Sequence, residues 1–166
     1  MAYSQAQLSD IEAIKDACKQ YSRGVDRLDP DIMKLAYWPE ATDDHGVFKG
    51  NAWEFCDFCM EAHHAWRSTM HCVFNHRIEL DTDGVHARGE IYNVTYLFRA
   101  DSAVLDTWYG RYLDEYEKRG DEWRIIQRVC VHEGSTTGES PPMDMETSDF
   151  RQGAFDRPSS RRPVGP

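Results

Sequence analysis

The 166-residue sequence has no apolar stretch long enough to span a bilayer, which argues against a membrane-spanning helix. It also lacks any excess of positive charge: 19 Lys and Arg stand against 29 Asp and Glu, for a net charge of −10. Nucleic acids and anionic membranes are held by clustered Lys and Arg, so neither is expected as a partner. The opening residues show no basic stretch leading into an apolar run, so no secretory leader is expected. Cysteine is scarce and odd in number, at five (Cys18, Cys56, Cys59, Cys72 and Cys130), which suits reduced thiols in a cytoplasmic protein better than a disulfide framework. Internal repeats are absent. What is present is an ordinary 40% hydrophobic content, enough at this length for one domain with a core and a single ligand cavity.

The first half reads as helical. Ser9 and Glu12 form a capping-box pattern, followed by Ile11, Ile14, Cys18, Tyr21 and Val25 at three- and four-residue steps. This predicts an amphipathic helix ending near Val25 or Asp26. Asp29-Pro30 marks a second helix start, and Trp38-Pro39 its end. The DDHG segment reads as the turn of a small hairpin between Ala41 and Gly50, and a third helix is expected over 51–66. Four strands, 70–80, 85–98, 105–117 and 123–132, follow, rich in Val, Ile, Tyr, Thr and Phe and joined by compact turns. The pattern is α+β: three N-terminal helices packed in a curved, mostly antiparallel sheet, a cone-shaped α+β barrel able to hold a pocket. The catalytic domain is expected over 1–133. Residues 134–166, poor in core formers, are expected to be an extended or partly disordered tail, with Phe150 and Phe155 as anchors onto the domain or a neighbouring subunit.

Few polar residues fall on inward faces. Tyr21 and Asp26 lie near the end of the first helix, but a five-residue step rotates by about 140° and does not stack them. By spacing alone, Asp26 reads as a helix-end acid and Tyr21 as a packed tyrosine. In the strand TMHCVFNHRIEL, alternation groups His71 with Val73, Asn75 and Arg77, and Cys72 with Phe74, His76 and Ile78. A single strand histidine is ordinarily structural. Arg128 alternates with Ile126 and Cys130, and an arginine on an apolar face needs a carboxylate partner or an anionic ligand.

Taken together, Tyr21-x4-Asp26 in QYSRGVDRLD, the following LAYWPEATDDHGVFKG, the strand TMHCVFNHRIEL and the segment EYEKRGDEWRIIQRV resemble the SnoaL-like family of the nuclear-transport-factor-2-like superfamily. The resemblance covers roughly 8–133 and lies in the branch containing bile acid 7α-dehydratases and hexachlorocyclohexane dehydrochlorinases. Scytalone dehydratases and lignin-diarylpropane lyases are more distant. It implies that Asp26 and His71 form a catalytic dyad, that Arg128 is an active-site arginine, and that Tyr21 takes the place of the bile acid enzymes' tyrosine, where dehydrochlorinases have lysine. The bile acid enzymes' further middle-strand aspartate has no counterpart, since Asn93 and Val94 occupy that region.

These residue types suit an elimination. Histidine can remove a C–H proton near neutrality, and a carboxylate can fix its tautomer and stabilise the imidazolium. Tyr21 can protonate a leaving hydroxyl or polarise a carbonyl, and Arg128 can fix Asp26 or an anionic part of the substrate. No metal or organic cofactor is required. The expected function is a dehydratase-type lyase on a hydrophobic, hydroxylated aromatic or steroid-like molecule. Release of formaldehyde from a lignin-derived diarylpropane, isomerisation by the same dyad, and non-catalytic binding remain alternatives.

Trp38, Phe48, Phe58, His63, Asn93 and Trp108 are the candidate substrate-binding residues. Cys56-x2-Cys59-x3-His63-His64 invites a zinc reading, but no second ligand pair stands at the usual spacing, and these cysteines read as packing residues. His63, with Met60 and Trp66, can instead line a cavity. Of His45, His76, His86 and His132, which receive no role, His132 falls nearest a cavity floor. The outer sheet face needs a cover, and the resemblance implies a homotrimer, or less often a dimer.

Overall fold

Ser4 starts the first helix, α1 (Gln5–Arg27): its hydroxyl accepts from the Gln7 N–H, and the Gln7 side chain accepts from the Ser4 N–H. The structure, a computed structural model, describes residues 3–140. The capping box thus precedes the expected Ser9–Glu12 pair. Ser9 lies inside the helix, its hydroxyl bonded back to the Gln5 carbonyl. Ile11, Ile14, Cys18, Tyr21 and Val25 are all buried. Leu28 closes the helix in the left-handed conformation (φ 48°, ψ 47°), with its N–H bonded to the Gly24 and Val25 carbonyls. Gly24 admits the next helix, α2 (Pro30–Lys34), because a Cβ there would lie 2.4 Å from the Met33 backbone nitrogen.

The small hairpin consists of β1 (Tyr37–Asp44) and β2 (Lys49–Asn51). Trp38-Pro39 lies within β1. Pro39 has no N–H to offer a ladder, and it sits where pairing with the last strand slips between Tyr37 and Thr42. Asn51 caps α3 (Ala52–Ala62), which tightens into a 3-10 turn at His63–Ala65. The strand β3 (Trp66–Leu80) then begins inside the expected third helix, and β4 (His86–Arg99), β5 (Val104–Arg119) and β6 (Glu122–Glu139) complete an antiparallel meander. Sheet order is β2-β1-β6-β5-β4-β3, with β1 parallel to β6. The result is α+β: three helices against a curved, unclosed, mostly antiparallel sheet, with α1 on β3 and α3 on β1.

Two further expectations are corrected. The tail boundary at 133 falls inside β6, because residues 134–139 pair with β5 from Val104 to Tyr109. The rest of that segment, with Phe150 and Phe155, lies outside the described residues. Strict alternation also fails. In β3 the pairing slips between Phe74 and His76, around Asn75 at φ 50°, so the side occupied by His71 and Val73 is continued by His76 and Ile78 rather than by Arg77. In β6 a slip around Ile126 puts Trp123 and Ile125, not Ile126, on the inner side with Arg128.

Candidate active site

The end of α1 delivers Asp26 to β3. Its carboxylate accepts from the Thr69 hydroxyl at 2.8 Å, from the His71 backbone N–H at 2.9 Å, and meets His71 Nδ1 at 2.6 Å. Helix-end placement and five-residue spacing made Asp26 look like a solvent-facing acid. Instead Thr69 and His71, two positions apart on β3, close over it, and the Asp26 and His71 side chains are only 11% and 8% exposed. Asp26 engages Nδ1, so Nε2 is the nitrogen left for chemistry.

His71 lines a cavity of about 320 Å³ together with Tyr21, His63, Asn93, Trp108 and other residues of the helices and inner sheet face. The Tyr21 ring stands edge-on to His71, centroids 6.2 Å apart, and its hydroxyl lies 3.2 Å from His45 Nε2. Burial pushes the Tyr21 phenol well above its ordinary pKa, neighbouring Tyr112 and Tyr37 add to this, and Arg128 opposes it. His63 directs Nδ1 to the Cys59 carbonyl at 3.0 Å. Burial, reinforced by His71, pulls its pKa down to about 4. It is thus a neutral imidazole near neutrality, with Nε2 free to accept a hydrogen bond. Asn93 donates to the Tyr112 hydroxyl and accepts from Thr95 at 3.2 Å. Trp108 reaches inward because Gly110 makes room: a Cβ there would lie 2.1 Å from the indole.

Arg128 sits elsewhere than expected. Across the β5–β6 ladder it faces Asp114 and makes a bidentate pair with it, at 2.8 and 2.7 Å, with both side chains fully buried. Asp114, not Asp26, is the carboxylate that offsets its burial. The guanidinium carbon lies 4.0 Å from the Tyr112 ring centroid and 4.5 Å from that of Tyr21, so its charge acts on the cavity through these rings. Burial works against the Arg128 charge, and Asp114 outweighs it, leaving the pKa above its usual value.

Three of the aromatic candidates are not among the cavity-lining residues. Trp38 has the guanidinium groups of Arg119 and Arg124 over its ring, 4.5 and 4.7 Å from the centroid, and donates to the Glu117 carbonyl at 3.0 Å. Phe48 and Phe58 pack on one another and on Phe55, and Phe58 is 41% exposed. Residues not assigned to the site by sequence reasoning line it instead: His45, Gly46 and Val47 from the hairpin turn, and Thr95, Leu97, Tyr112 and Cys130 from the sheet. Trp66 and His132 join them, the latter 5.8 Å from Trp108 between ring centroids. A usable signal existed for His45, because it stands two positions after Asp43, at the turn that follows β1, where a local carboxylate–histidine contact is within reach. Cys56 and Cys59 are buried in the core, and burial holds both thiols well above their ordinary pKa. A second concavity of about 360 Å³ on the outer sheet face is lined by Arg77, Glu79, Arg88, Glu90 and neighbours; it lacks the histidines and tyrosines that converge inside.

The SnoaL-like domain family matches residues 6–129. The chain belongs to the SnoaL-like family. No curated protein matches it in sequence. Among solved structures, a candidate scytalone dehydratase from Novosphingobium aromaticivorans DSM 12444 superposes with a TM-score of 0.73 at 15% identity, covering 87% of this chain and 99% of that one. Hexachlorocyclohexane dehydrochlorinase LinA-type3 from Novosphingobium barchaimii LL02 gives 0.69 at 19% identity, covering 82% and 98%. A protein of unknown function from Mycobacterium tuberculosis gives 0.67 at 20% identity, covering 76% and 73%. At these identities the likeness is one of fold: this SnoaL-like chain has the cone of its family, and its site is argued from its own residues.

Proposed function

We propose that this SnoaL-like protein is a lyase that eliminates water from a hydrophobic, hydroxylated aromatic or steroid-like molecule, without a cofactor. The observation that carries the reading is the contact of Asp26 with His71 Nδ1, which leaves Nε2 as the free nitrogen of a cavity-lining imidazole. His71 Nε2 takes the C–H proton, and Asp26, held by Thr69 and the His71 N–H, stabilises the imidazolium formed. Tyr21 gives its proton to the departing hydroxyl. His63 Nε2, kept unprotonated by burial, accepts from a substrate hydroxyl. Trp66, Leu97 and Trp108 supply the apolar wall that a flat substrate needs. Arg128 acts behind Tyr21 as a fixed positive charge that favours the developing phenolate.

The test is turnover of a panel of hydroxylated steroids and diarylpropanoids by the wild type, His71→Ala and Asp26→Asn. The expected result is dehydration by the wild type and loss in both variants. Unchanged turnover in both overturns the mechanism. Exposed Met70, Phe74, Tyr92, Tyr109 and Leu113 on the sheet strands support assembly into a homo-oligomer, a trimer or alternatively a dimer, which light scattering on the purified protein distinguishes from a monomer.

A further inference from the structure

The cavity holds a second aspartate–histidine pair that the mechanism above leaves unused. His45, at the hairpin turn, lines the cavity with Tyr21, and its Nδ1 is in close contact with Asp43 Oδ1. The Asp43 side chain is fully buried, and its other oxygen accepts from the Tyr37 hydroxyl at 2.7 Å. Phe55 stacks on the imidazole with centroids 4.3 Å apart and the planes inclined by 24°. The ring is therefore fixed on one edge by a carboxylate and on one face by an aromatic. Its remaining nitrogen, Nε2, meets the Tyr21 hydroxyl at 3.2 Å.

This chain of contacts decides what Tyr21 can offer the cavity. With Nδ1–H committed to Asp43, a neutral His45 has only a lone pair at Nε2. The Tyr21 hydroxyl also shares a hydrogen bond with Tyr112, whose oxygen already accepts from Asn93; with His45 neutral, Tyr21 gives its single O–H to the Nε2 lone pair and presents only an acceptor oxygen to the substrate. When His45 is an imidazolium, Nε2–H donates to the Tyr21 oxygen, and the Tyr21 O–H is released toward the cavity. We propose that Asp43–His45 is a proton relay that turns Tyr21 into the acid of the elimination. The inference rests on the lyase reading for its role in turnover, but the coupling of His45 to Tyr21 stands apart from it.

The step balances. The C–H proton goes to His71, and its electron pair becomes the new carbon–carbon π bond. The C–O bond breaks with its pair on oxygen, which takes the Tyr21 proton and leaves as water. His45 Nε2–H replaces the proton on Tyr21, and one proton lost from His71 and one gained by His45 through solvent restore the start. A phenol whose pKa is raised by burial is a poor donor if it must remain a phenolate, and a second donor in line removes that obstacle. The groups that bear on His45 are Asp43 and Asp44 from β1, Tyr21 from α1, Tyr112 from β5, Arg128 behind both tyrosines, and His63 beyond the end of α3. From α3 itself, the packed face is the apolar Phe55.

The decisive experiment needs no substrate. Full-length protein carries 15N-histidine and 3-fluorotyrosine in place of Tyr21, and both nuclei are followed by NMR through a pH titration. The expected result is an Nδ1–H tautomer for neutral His45 and a fluorine inflection at the His45 midpoint. That inflection is lost in His45→Gln and retained in His63→Gln. In Asp43→Asn, which guards against misfolding of the first variant, the fluorine inflection still coincides with the His45 midpoint. A fluorine signal that ignores the His45 titration, or an inflection that survives His45→Gln, overturns the relay. With whichever panel compound turns over, His45→Gln is expected to lower kcat by about tenfold or more with KM little changed, most severely at low pH, where wild-type His45 is the imidazolium that releases the Tyr21 O–H. A kcat within about twofold of wild type at every pH also overturns it. If no panel compound turns over, the lyase reading fails while the NMR result still decides the coupling.

Discussion

Asp26 reaches His71 across 45 positions of sequence, from the last turn of α1 to β3, whereas Asp43 and His45 are two positions apart in one hairpin. Both carboxylates meet an Nδ1, and both leave an Nε2 on the cavity side. The distant pair depends on tertiary packing for its geometry: Asp26 is held by Thr69 and two groups of His71, none near it in sequence. The local pair has its partner built into the strand, and needs tertiary contacts only from Tyr37 and Phe55 to aim the ring at Tyr21. A third imidazole, His63, has a backbone carbonyl on Nδ1 instead of a carboxylate, and burial, reinforced by His71, lowers its pKa to about 4.

The largest effects should come from the distant pair. Asp26→Asn or His71→Ala is expected to cut kcat/KM by about 10²–10⁴, against about tenfold for Asp43→Asn, measured on one panel substrate. Equal losses in the two pairs would erase the distinction drawn between base and relay.

Next stands the carboxylate that holds an arginine instead of a histidine. Arg128→Met leaves Asp114 buried without its counter-ion, and should cost about 3–5 kcal/mol in urea unfolding. The double variant Arg128→Met/Asp114→Leu is expected to recover most of that loss, because no lone charge remains buried.

His63, held by a backbone carbonyl instead of a carboxylate, should appear as an acid limb in stability. Its folded pKa of about 4 lies below the ordinary histidine value of 6.5, so between these the unfolded chain binds the extra proton. Stability associated with His63 is complete above about pH 6.5 and falls as pH drops toward 4, by at most about 3 kcal/mol. Thermal melts from pH 7 to 4 should show this limb flattened in His63→Gln.

Smaller effects mark the edges of the comparison. Thr69→Val removes one hydrogen bond to Asp26 and should cost about 1–2 kcal/mol in urea unfolding. Phe58→Ala, outside the cavity lining, should leave the affinity for a panel compound within about twofold of wild type.

Much of the architecture follows from local pattern. The inward stripe of α1, the Asp29-Pro30 restart and the β-rich second half are written in period and turn chemistry, and each is present in the fold. What local pattern missed are slips of single residues. The irregularities at Asn75 and Ile126 depend on how a strand fits its neighbour, and each one reassigns every side chain beyond it. The same limit governed the aromatic residues. Trp38, Phe48 and Trp108 look alike in sequence, yet Trp38 is claimed by two arginines, Phe48 by Phe55 and Phe58, and only Trp108 lines the cavity.

For this protein, sequence alone determined the helix faces, the strand-rich half, the α+β class and a family whose fold is a cone. Those properties depend on residues close in sequence or on patterns spread over the whole chain. The family resemblance already implied the Asp26–His71 pair, whereas tertiary structure alone decided that Thr69 and the His71 N–H hold Asp26, that Arg128 belongs to Asp114, and that His45 points at Tyr21. Each of these is a choice among several possible partners for one polar group. It is settled by which group lies within about 3 Å once the sheet has curved over its helices, because a buried polar atom must take the partner that packing brings to it.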